Sequence, residues 1–220
     1  MSTIYLIRHG QASFGSANYD QLSVNGERQV HYLRHYLSDH AVPIDAIYSG
    51  PRIRQQQTAQ ILKSSTSHNP IECSGFDEYD ADTLLRYYCD IMKKNLTHDP
   101  RAFQRILEET CLSWIEGDLS AALTCSFKEF RERVAGALNQ LMQHEGRGKH
   151  LLVCTSAGVI GVAIGHVLGL NDRESIKLSW SINNSSITRL EYNFARISLT
   201  QFNGLPHLAG ASRQGLITFR

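Results

Sequence analysis

The sequence contains little cysteine, and its cysteines are not arranged for cross-links or for zinc. They number five, which is odd, and no two of them form a C-x-x-C pair. Disulfide frameworks and cysteine zinc sites depend on such pairs, so the sequence argues against both. A chain of 220 residues can bury a sizeable core without a staple or a metal. We therefore expect one domain, or one domain with an insertion.

An excess of charge of one sign is also lacking. Lys and Arg number 22 against 21 for Asp and Glu, which gives a formal net charge of +1. The chain has neither a basic tail nor an acidic run. This balance argues against nucleic acid or an anionic membrane as the partner. It is compatible with a local cationic pocket, which a total charge averages away.

Long hydrophobic runs are absent as well. The apolar run near the N-terminus covers residues 4–7 and is too short for a signal peptide or a membrane span. We therefore predict a cytoplasmic protein with no membrane partner.

Short apolar runs alternate with amphipathic stretches along the chain. The pattern predicts strands near residues 4–7, 44–48, 151–155, 186–192 and 197–202. It predicts helices that begin at the N-cap Ser23 and run toward residue 40, and that cover residues 55–63 and 158–168. Strands that alternate with helices form parallel sheets covered on both sides. The fold class predicted is therefore α/β, with a mostly parallel central sheet flanked by helices on both faces.

The region from about residue 81 to residue 145 has a different character. It is helical and polar-faced, and Pro100 and Gly117 divide it into at least three helices. Its clearest amphipathic part covers residues 127–144. We predict a single domain over residues 1–220, in which residues 81–145 form an inserted helical cap over one edge of the sheet.

Polar groups follow three of the predicted strands, at the end where ligands bind in open α/β sheets. They are Arg8-His9-Gly10, then Ser49-Gly50-Pro51-Arg52 with Arg54, and Thr155-Ser156-Ala157-Gly158. Guanidinium groups and the start of a helix suit a phosphate. A histidine beside them can attack phosphorus if one of its ring nitrogens is unprotonated. A lone Arg-His-Gly is weak evidence, so the prediction depends on the order and spacing of the three groups.

With these motifs, the chain resembles the histidine phosphatase superfamily, also called the phosphoglycerate mutase-like superfamily. The resemblance spans nearly the whole chain, and its first and third motifs together are fairly specific. The matching segments are Ile4-Tyr5-Leu6-Ile7-Arg8-His9-Gly10-Gln11, Leu22-Ser23-Val24-Asn25-Gly26, and residues 48–59, 153–160, 184–188 and 202–208. The resemblance implies a phosphoglycerate mutase-like fold with a helical insertion.

The resemblance also implies catalytic roles. His9 is the nucleophile that becomes phosphorylated, and Arg8 and Arg54 hold the transferring phosphoryl group. Glu78 is the acid that protonates the leaving oxygen, after which water hydrolyses the phosphohistidine. Neither a metal nor a cofactor is implied, because the arginines supply the charge.

The assignment of Glu78 has competitors close by. Asp77, Asp80 and Asp82 lie in the same acidic segment. An acid for the leaving group needs a raised pKa, which partial burial supplies. A solvated acidic loop is the alternative interpretation.

Two positions depart from the family pattern. Ser156 stands where the family usually has a second histidine, and Gly15 stands where it often has an asparagine. A serine can donate one hydrogen bond but brings no charge, and its reach is shorter. The loss of one preorganised donor costs roughly 10²–10³ in rate in other enzymes. We therefore keep Ser156 as a catalytic candidate and expect weak activity.

Five further residues, in or next to these motifs, are predicted to bind substrate. They are Gly10, Gln11, Ser13, Ala157 and His207. Gln11 or Ser13 compensates in part for Gly15. His207 either replaces the missing histidine or makes a structural hydrogen bond near the C-terminus.

Three functions remain open from the sequence. The first is a metal-independent phosphomonoester hydrolase that acts on a phosphorylated small molecule or a phosphoprotein. The second is a phosphomutase, which needs a clamp for a substrate carboxylate that we cannot identify in the sequence. The third is a catalytically silent module that binds phosphate. The oligomeric state is open.

Overall fold

The computed structural model of the chain describes residues 1–13, 20–63, 68–96, 99–119, 125–193 and 196–219. The strands are β1 (Ser2–Arg8), β2 (Ala46–Ser49), β3 (Ile71–Glu72), β4 (His150–Thr155), β5 (Ile187–Tyr192) and β6 (Ile197–Gly204). The helices are α1 (Val24–Asp39), α2 (Ile53–Lys63), α3 (Ala81–Met92), α4 (Pro100–Glu116), α5 (Phe127–Glu145), α6 (Ala157–Leu168) and α7 (Asp172–Ser179). Short 3₁₀ turns lie at Ser74–Phe76, Pro206–Leu208 and Ala211–Leu216.

The strands form one sheet in the order β3-β2-β4-β1-β5-β6. The pairs β3/β2, β2/β4 and β4/β1 are parallel, and β5 and β6 are added antiparallel at one side. In this register Arg8 is opposite Thr155, and Ser49 is opposite Cys154. The carboxyl ends of β1, β2 and β4 therefore meet at one edge, and the loops that follow them start side by side. This confirms the predicted α/β class with a mostly parallel sheet.

Alternation along the strands divides the core between the two faces of the sheet. Leu151 and Val153 of β4 point to one face and join the apolar cluster that includes residues of α5 and α6. Leu152 and Cys154 point to the other face and pack with residues of α1 and α2. All four side chains are fully buried. Helices thus cover both faces, as the sequence pattern predicts.

Helix starts follow the capping signals of the sequence. The Ser23 side chain accepts a hydrogen bond from the Gly26 N–H at 3.1 Å, which confirms the predicted N-cap of α1. Two elements were not predicted. β3 has only two residues, and both are exposed, so it carries no apolar pattern. α7 begins at a capping box formed by Asn171 and Glu174.

Three helices, α3 to α5, lie within residues 81–145. α3 ends at Lys93 in the left-handed conformation, and α4 begins with Pro100 at its first turn and ends at Gly117. α5 buries Phe130, Val134 and Leu138 completely in the core cluster it shares with α6. The single domain over residues 1–220 and the cap at residues 81–145 stay predictions. No helix within the described ranges combines the length and the apolar character that crossing a membrane demands.

Candidate active site

The backbone around His9 is fixed from both sides by the ends of neighbouring strands. Its N–H donates to the Thr155 carbonyl at 2.9 Å, and its own carbonyl accepts from the Ser185 N–H at 3.1 Å. The Asn184 side-chain amide also donates to that carbonyl, at 3.3 Å. These contacts hold the residue directly after β1 at the carboxyl edge of the sheet. His9 is 5% exposed.

The hydrogen bonds of the His9 ring indicate one tautomer. Nδ1 lies 2.7 Å from the Gly10 carbonyl oxygen, which only accepts, so Nδ1 carries the proton. Nε2 lies 3.1 Å from the Nε–H of Arg54, which only donates, so Nε2 carries the lone pair. Burial lowers the pKa of His9 well below its ordinary value, and the charges of Arg54 and Arg8 lower it further. The imidazole is therefore neutral, and its lone pair lies on the nitrogen next to a guanidinium group.

The two predicted phosphate-binding arginines both line the cavity in front of His9. Arg54 comes from the first turn of α2, and its Nη1 pairs with the Asp20 carboxylate at 2.5 Å. Arg8 ends β1, and its Nη1 donates to the Ile182 carbonyl. Both arginines and His9 border one cavity of about 500 Å³. The structure thus brings residues 8, 9 and 54 together, as predicted.

Arg52 belongs to the same motif as Arg54, but it contacts the acidic loop. It pairs with Asp77 at 2.7 Å and donates to the Glu78 carbonyl at 2.8 Å. Its two bonds hold the acidic loop against the start of α2.

Glu78 lies at the cavity wall against the first turn of α6. One carboxylate oxygen accepts from the Gly158 N–H at 2.9 Å, and the other accepts from the Tyr79 N–H at 3.2 Å. A Cβ at position 158 would lie 2.3 Å from the carboxylate, so the close approach requires glycine there. Burial raises the pKa of Glu78, while the Gly158 N–H and the nearby Arg54 act in the opposite direction. The net direction favours the protonated form that a proton donor requires.

The competing carboxylates of this loop have other partners. Asp77 is paired with Arg52, and Asp80 caps α3 by accepting from the Thr83 N–H at 3.1 Å. Asp82 also lines the cavity, but it pairs with Arg86 at 2.7 Å. Glu78 lines the same cavity as the Arg8, His9 and Arg54 side chains. Among the described contacts, its carboxylate forms no salt bridge.

Ser156 lies at the N-cap of α6 but does not cap the helix with its side chain. Its hydroxyl accepts from the Gln55 side-chain amide at 2.8 Å, and the residue is 1% exposed. The next two residues, Ala157 and Gly158, line the cavity, whereas Ser156 does not. The structure therefore puts Ser156 behind the cavity wall.

The loop after His9 is bound to α2, to α1 and to the segment that leads into α1. The Gly10 N–H donates to Thr58, and the Gln11 N–H donates to Gln29 at 2.8 Å. The Ser13 hydroxyl donates to the Leu22 carbonyl at 3.0 Å. None of Gly10, Gln11 and Ser13 lines the described cavity, although Ala12 does. Gly15 lies outside the described residues.

His207 does not reach the cavity either. It is 1% exposed, and its Nε2 lies 2.8 Å from the Ser185 hydroxyl, behind the His9 backbone. Burial lowers the pKa of His207 to about 4, with a further contribution from Arg213. Of the two sequence interpretations, this position corresponds to the structural hydrogen bond rather than to a replacement of the second histidine.

Two polar residues of the site had not been predicted. Asp20 binds Arg54 and also accepts from the Ile53 N–H at 3.0 Å, and Gln55 binds Ser156. Gln55 lies inside the Arg52 to Gln57 run that the sequence singles out. Nothing in the sequence alone indicates that Asp20 belongs to the site, because its position depends on the path of a loop.

Comparisons with known proteins agree with this architecture. A structural search finds a phosphoserine phosphatase variant from Entamoeba histolytica in complex with phosphoserine, at 19% identity and a TM-score of 0.69, covering 94% of this chain and 100% of the other. A mycobacterial glucosyl-3-phosphoglycerate phosphatase in complex with VO₃ matches at 18% identity and a TM-score of 0.66, covering 93% and 100%. At such low identity these matches show the fold.

A search of the curated proteins finds no match. The family model for the histidine phosphatase superfamily (branch 1) matches residues 4–204. That span includes the motifs on which the resemblance was based except residues 205–208 of the last one, and it supports the prediction of a phosphatase. The chain belongs to branch 1 of the histidine phosphatase superfamily.

Proposed function

We propose that this protein is a phosphomonoester hydrolase that forms a phosphohistidine at Nε2 of His9. The observation that carries the proposal is the neutral imidazole whose Nε2 lone pair lies 3.1 Å from the Arg54 guanidinium. A nitrogen in that state can attack phosphorus, and an adjacent cation binds the phosphoryl oxygens during the transfer.

In the first step, a phosphate monoester binds between Arg8 and Arg54. Arg54 then donates its Nε–H hydrogen bond to a phosphoryl oxygen instead of to Nε2 of His9. This frees the lone pair of Nε2. Nε2 then forms a bond to phosphorus while the bond from phosphorus to the ester oxygen breaks. Glu78 gives its proton to that oxygen, and the alcohol leaves. The arginines balance the charge on the phosphoryl group, so the step needs no metal.

In the second step, water replaces the alcohol. The Glu78 carboxylate accepts a proton from the water as the water oxygen attacks phosphorus, and the bond from phosphorus to Nε2 breaks. Inorganic phosphate leaves with Glu78 protonated and His9 neutral again. Glu78 is suited to both roles because burial raises its pKa while backbone N–H donors stabilise its carboxylate.

We further propose that turnover is slow. Ser156 stands where the family usually has a second histidine, and its hydroxyl is bonded to Gln55 behind the cavity wall. The phosphoryl group therefore has one donor fewer, at a cost of roughly 10²–10³ in rate. This observation also supports the second candidate, a silent module that binds phosphate.

Hydrolysis of an aryl phosphate by the wild-type protein and by His9→Ala tests the proposal. We expect turnover in the wild type and its loss in the variant. His31→Ala is the matched control, because His31 is an exposed histidine on α1, and it is expected to keep the wild-type rate. Phosphate binding without turnover on a broad panel of esters supports the silent module. Transfer of phosphate between substrate carbons without net release supports a phosphomutase.

A further inference from the structure

The wall of the cavity in front of His9 combines two kinds of side chain. One kind is ionisable and includes Arg8, His9, Arg54 and Glu78. The other kind is large and apolar, and several of these side chains lie on α3 and α4. They are Leu85, Leu96, Phe103, Leu107, Trp180 and Phe219.

Two helices each contribute apolar side chains to the cavity wall. Ala81 and Leu85 lie one turn apart on α3, and Phe103 and Leu107 lie one turn apart on α4. Tyr79 also lines the cavity, and its ring packs against Trp114 with centroids 5.0 Å apart. The wall is thus anchored in the aromatic core, and the apolar side chains of both helices border the cavity of about 500 Å³.

Exposure of apolar side chains supports the same interpretation. Leu96 is 43% exposed and Phe219 is 54% exposed, although both are large hydrophobic residues. They belong to different parts of the chain and border one cavity. Exposed apolar groups that border one cavity are typical of a binding site.

The charged residues that α3 contributes to the cavity wall pair with each other. Among the described residues that line the cavity, the cations are Arg8, Arg54 and Arg86. Arg86 pairs with Asp82 at 2.7 Å across one helical turn. A carboxylate on the organic part of a substrate would therefore lose its hydration against apolar side chains and an already paired guanidinium.

We propose that the apolar side chains of the cavity wall bind the organic group of the substrate, and that the substrates are monophosphates of apolar alcohols or phenols. Esters with a carboxylate close to the phosphate, such as phosphoserine and 3-phosphoglycerate, fit this cavity poorly. The inference rests on the proposed function. It adds a substrate class, because α3 and α4 select the leaving group.

A series of straight-chain alkyl monophosphates from ethyl to hexyl tests the inference. The chemistry at phosphorus is nearly constant along the series, so a change in kcat/KM reports burial of the chain. We expect a rise of up to about fourfold for each added methylene, on the order of 10² in total. Phosphoserine and 3-phosphoglycerate are expected to stay at or below the ethyl ester. A flat series, or preference for either carboxylate ester, would overturn the inference.

Two variants assign the effect to this cavity. Phe219→Ser and Leu107→Asn are expected to flatten the dependence of kcat/KM on chain length. Phe219 is more than half exposed, so its replacement keeps the test valid if Leu107→Asn does not fold. Ile91→Ala is the control, because Ile91 is an equally exposed apolar residue of α3 that does not line the cavity. An unchanged series in Phe219→Ser would contradict the inference.

Binding to His9→Ala separates this inference from the proposed function. Calorimetric titration of that variant with the same esters measures affinity without turnover. Affinity that rises with chain length, with no hydrolysis by the wild type, supports the apolar site and refutes the hydrolase. Hydrolysis that depends on His9 but shows no gain with chain length in rate or affinity refutes the apolar site and leaves the hydrolase standing.

Discussion

Replacing Gly158 with alanine tests the contact that holds Glu78 in the site. A Cβ at position 158 would lie 2.3 Å from the Glu78 carboxylate and 2.7 Å from the Tyr79 ring. Neither separation is possible between non-bonded atoms, so the carboxylate has to leave its place beside α6. Gly158 has no positive φ, and alanine favours a helix by about 1 kcal/mol over glycine. The backbone is therefore expected to stay in place while the side chain of Glu78 moves.

The size of the effect depends on the leaving group. A positioned acid contributes roughly 10²–10⁴ to the rate when the leaving oxygen needs a proton. An alkyl phosphate needs that proton, whereas p-nitrophenolate departs without it. For Gly158→Ala we expect kcat to fall by about 10²–10³ on an alkyl phosphate and by less than about fivefold on p-nitrophenyl phosphate. Glu78→Gln should show the same difference between the two substrates.

Steady-state kinetics on both substrates, with thermal unfolding of each variant, decides the outcome. Gly136→Ala is the control, because it makes the same change in a helix where a Cβ meets nothing within 4 Å. It should leave both rates unchanged. An equal fall on both substrates, or no fall on either, would refute the role of Glu78 as the proton donor.

Three further predictions concern Arg54, Ser156 and His207. Arg54→Gln removes one of the charges that lower the pKa of His9, so the pKa measured by NMR is expected to rise and kcat to fall by at least about 10²; an unchanged pKa would contradict the contact. Ser156→His in a Gln55→Ala background restores the missing donor and makes room for it, and steady-state assays should show faster turnover; a large fall would show that the serine has a duty of its own. Because burial lowers the pKa of His207 from 6.5 to about 4, the unfolded chain takes up a proton there as the pH falls below 6.5, so the folded state should lose about 3 kcal/mol between pH 6.5 and 4. Urea unfolding of the wild type and His207→Gln measures this, and equal slopes against pH would contradict it.

Much of the fold is predictable because its signals are local. The apolar run at residues 4–7 and the cap at Ser23 depend on neighbouring residues, and the structure has β1 and α1 there. The capping box at Asn171 is just as local, so α7 was predictable and was missed. β3 was not predictable, since Ile71 and Glu72 are both exposed and their pairing depends on the position of β2.

The candidate site was likewise predictable only in part. Residues 8, 9 and 54 meet because parallel strands end at one edge of the sheet, which the pattern predicts. The orientation of side chains does not follow from that pattern. Ser156 turns toward Gln55, a contact set by how α2 and α6 face each other. His207 turns toward Ser185, whose φ is positive, at 58°. A serine in the sequence does not indicate a positive φ, so this backbone conformation could not be predicted.

The central claim is that phosphate passes through Nε2 of His9. Rapid mixing with an excess of substrate, alkaline quenching and peptide mass spectrometry measure it most directly. We predict an acid-labile, alkali-stable phosphate on the peptide that contains His9, formed at least as fast as turnover and absent in His9→Ala. Hydrolysis without such a phosphoenzyme, or at an undiminished rate in His9→Ala, would contradict the account.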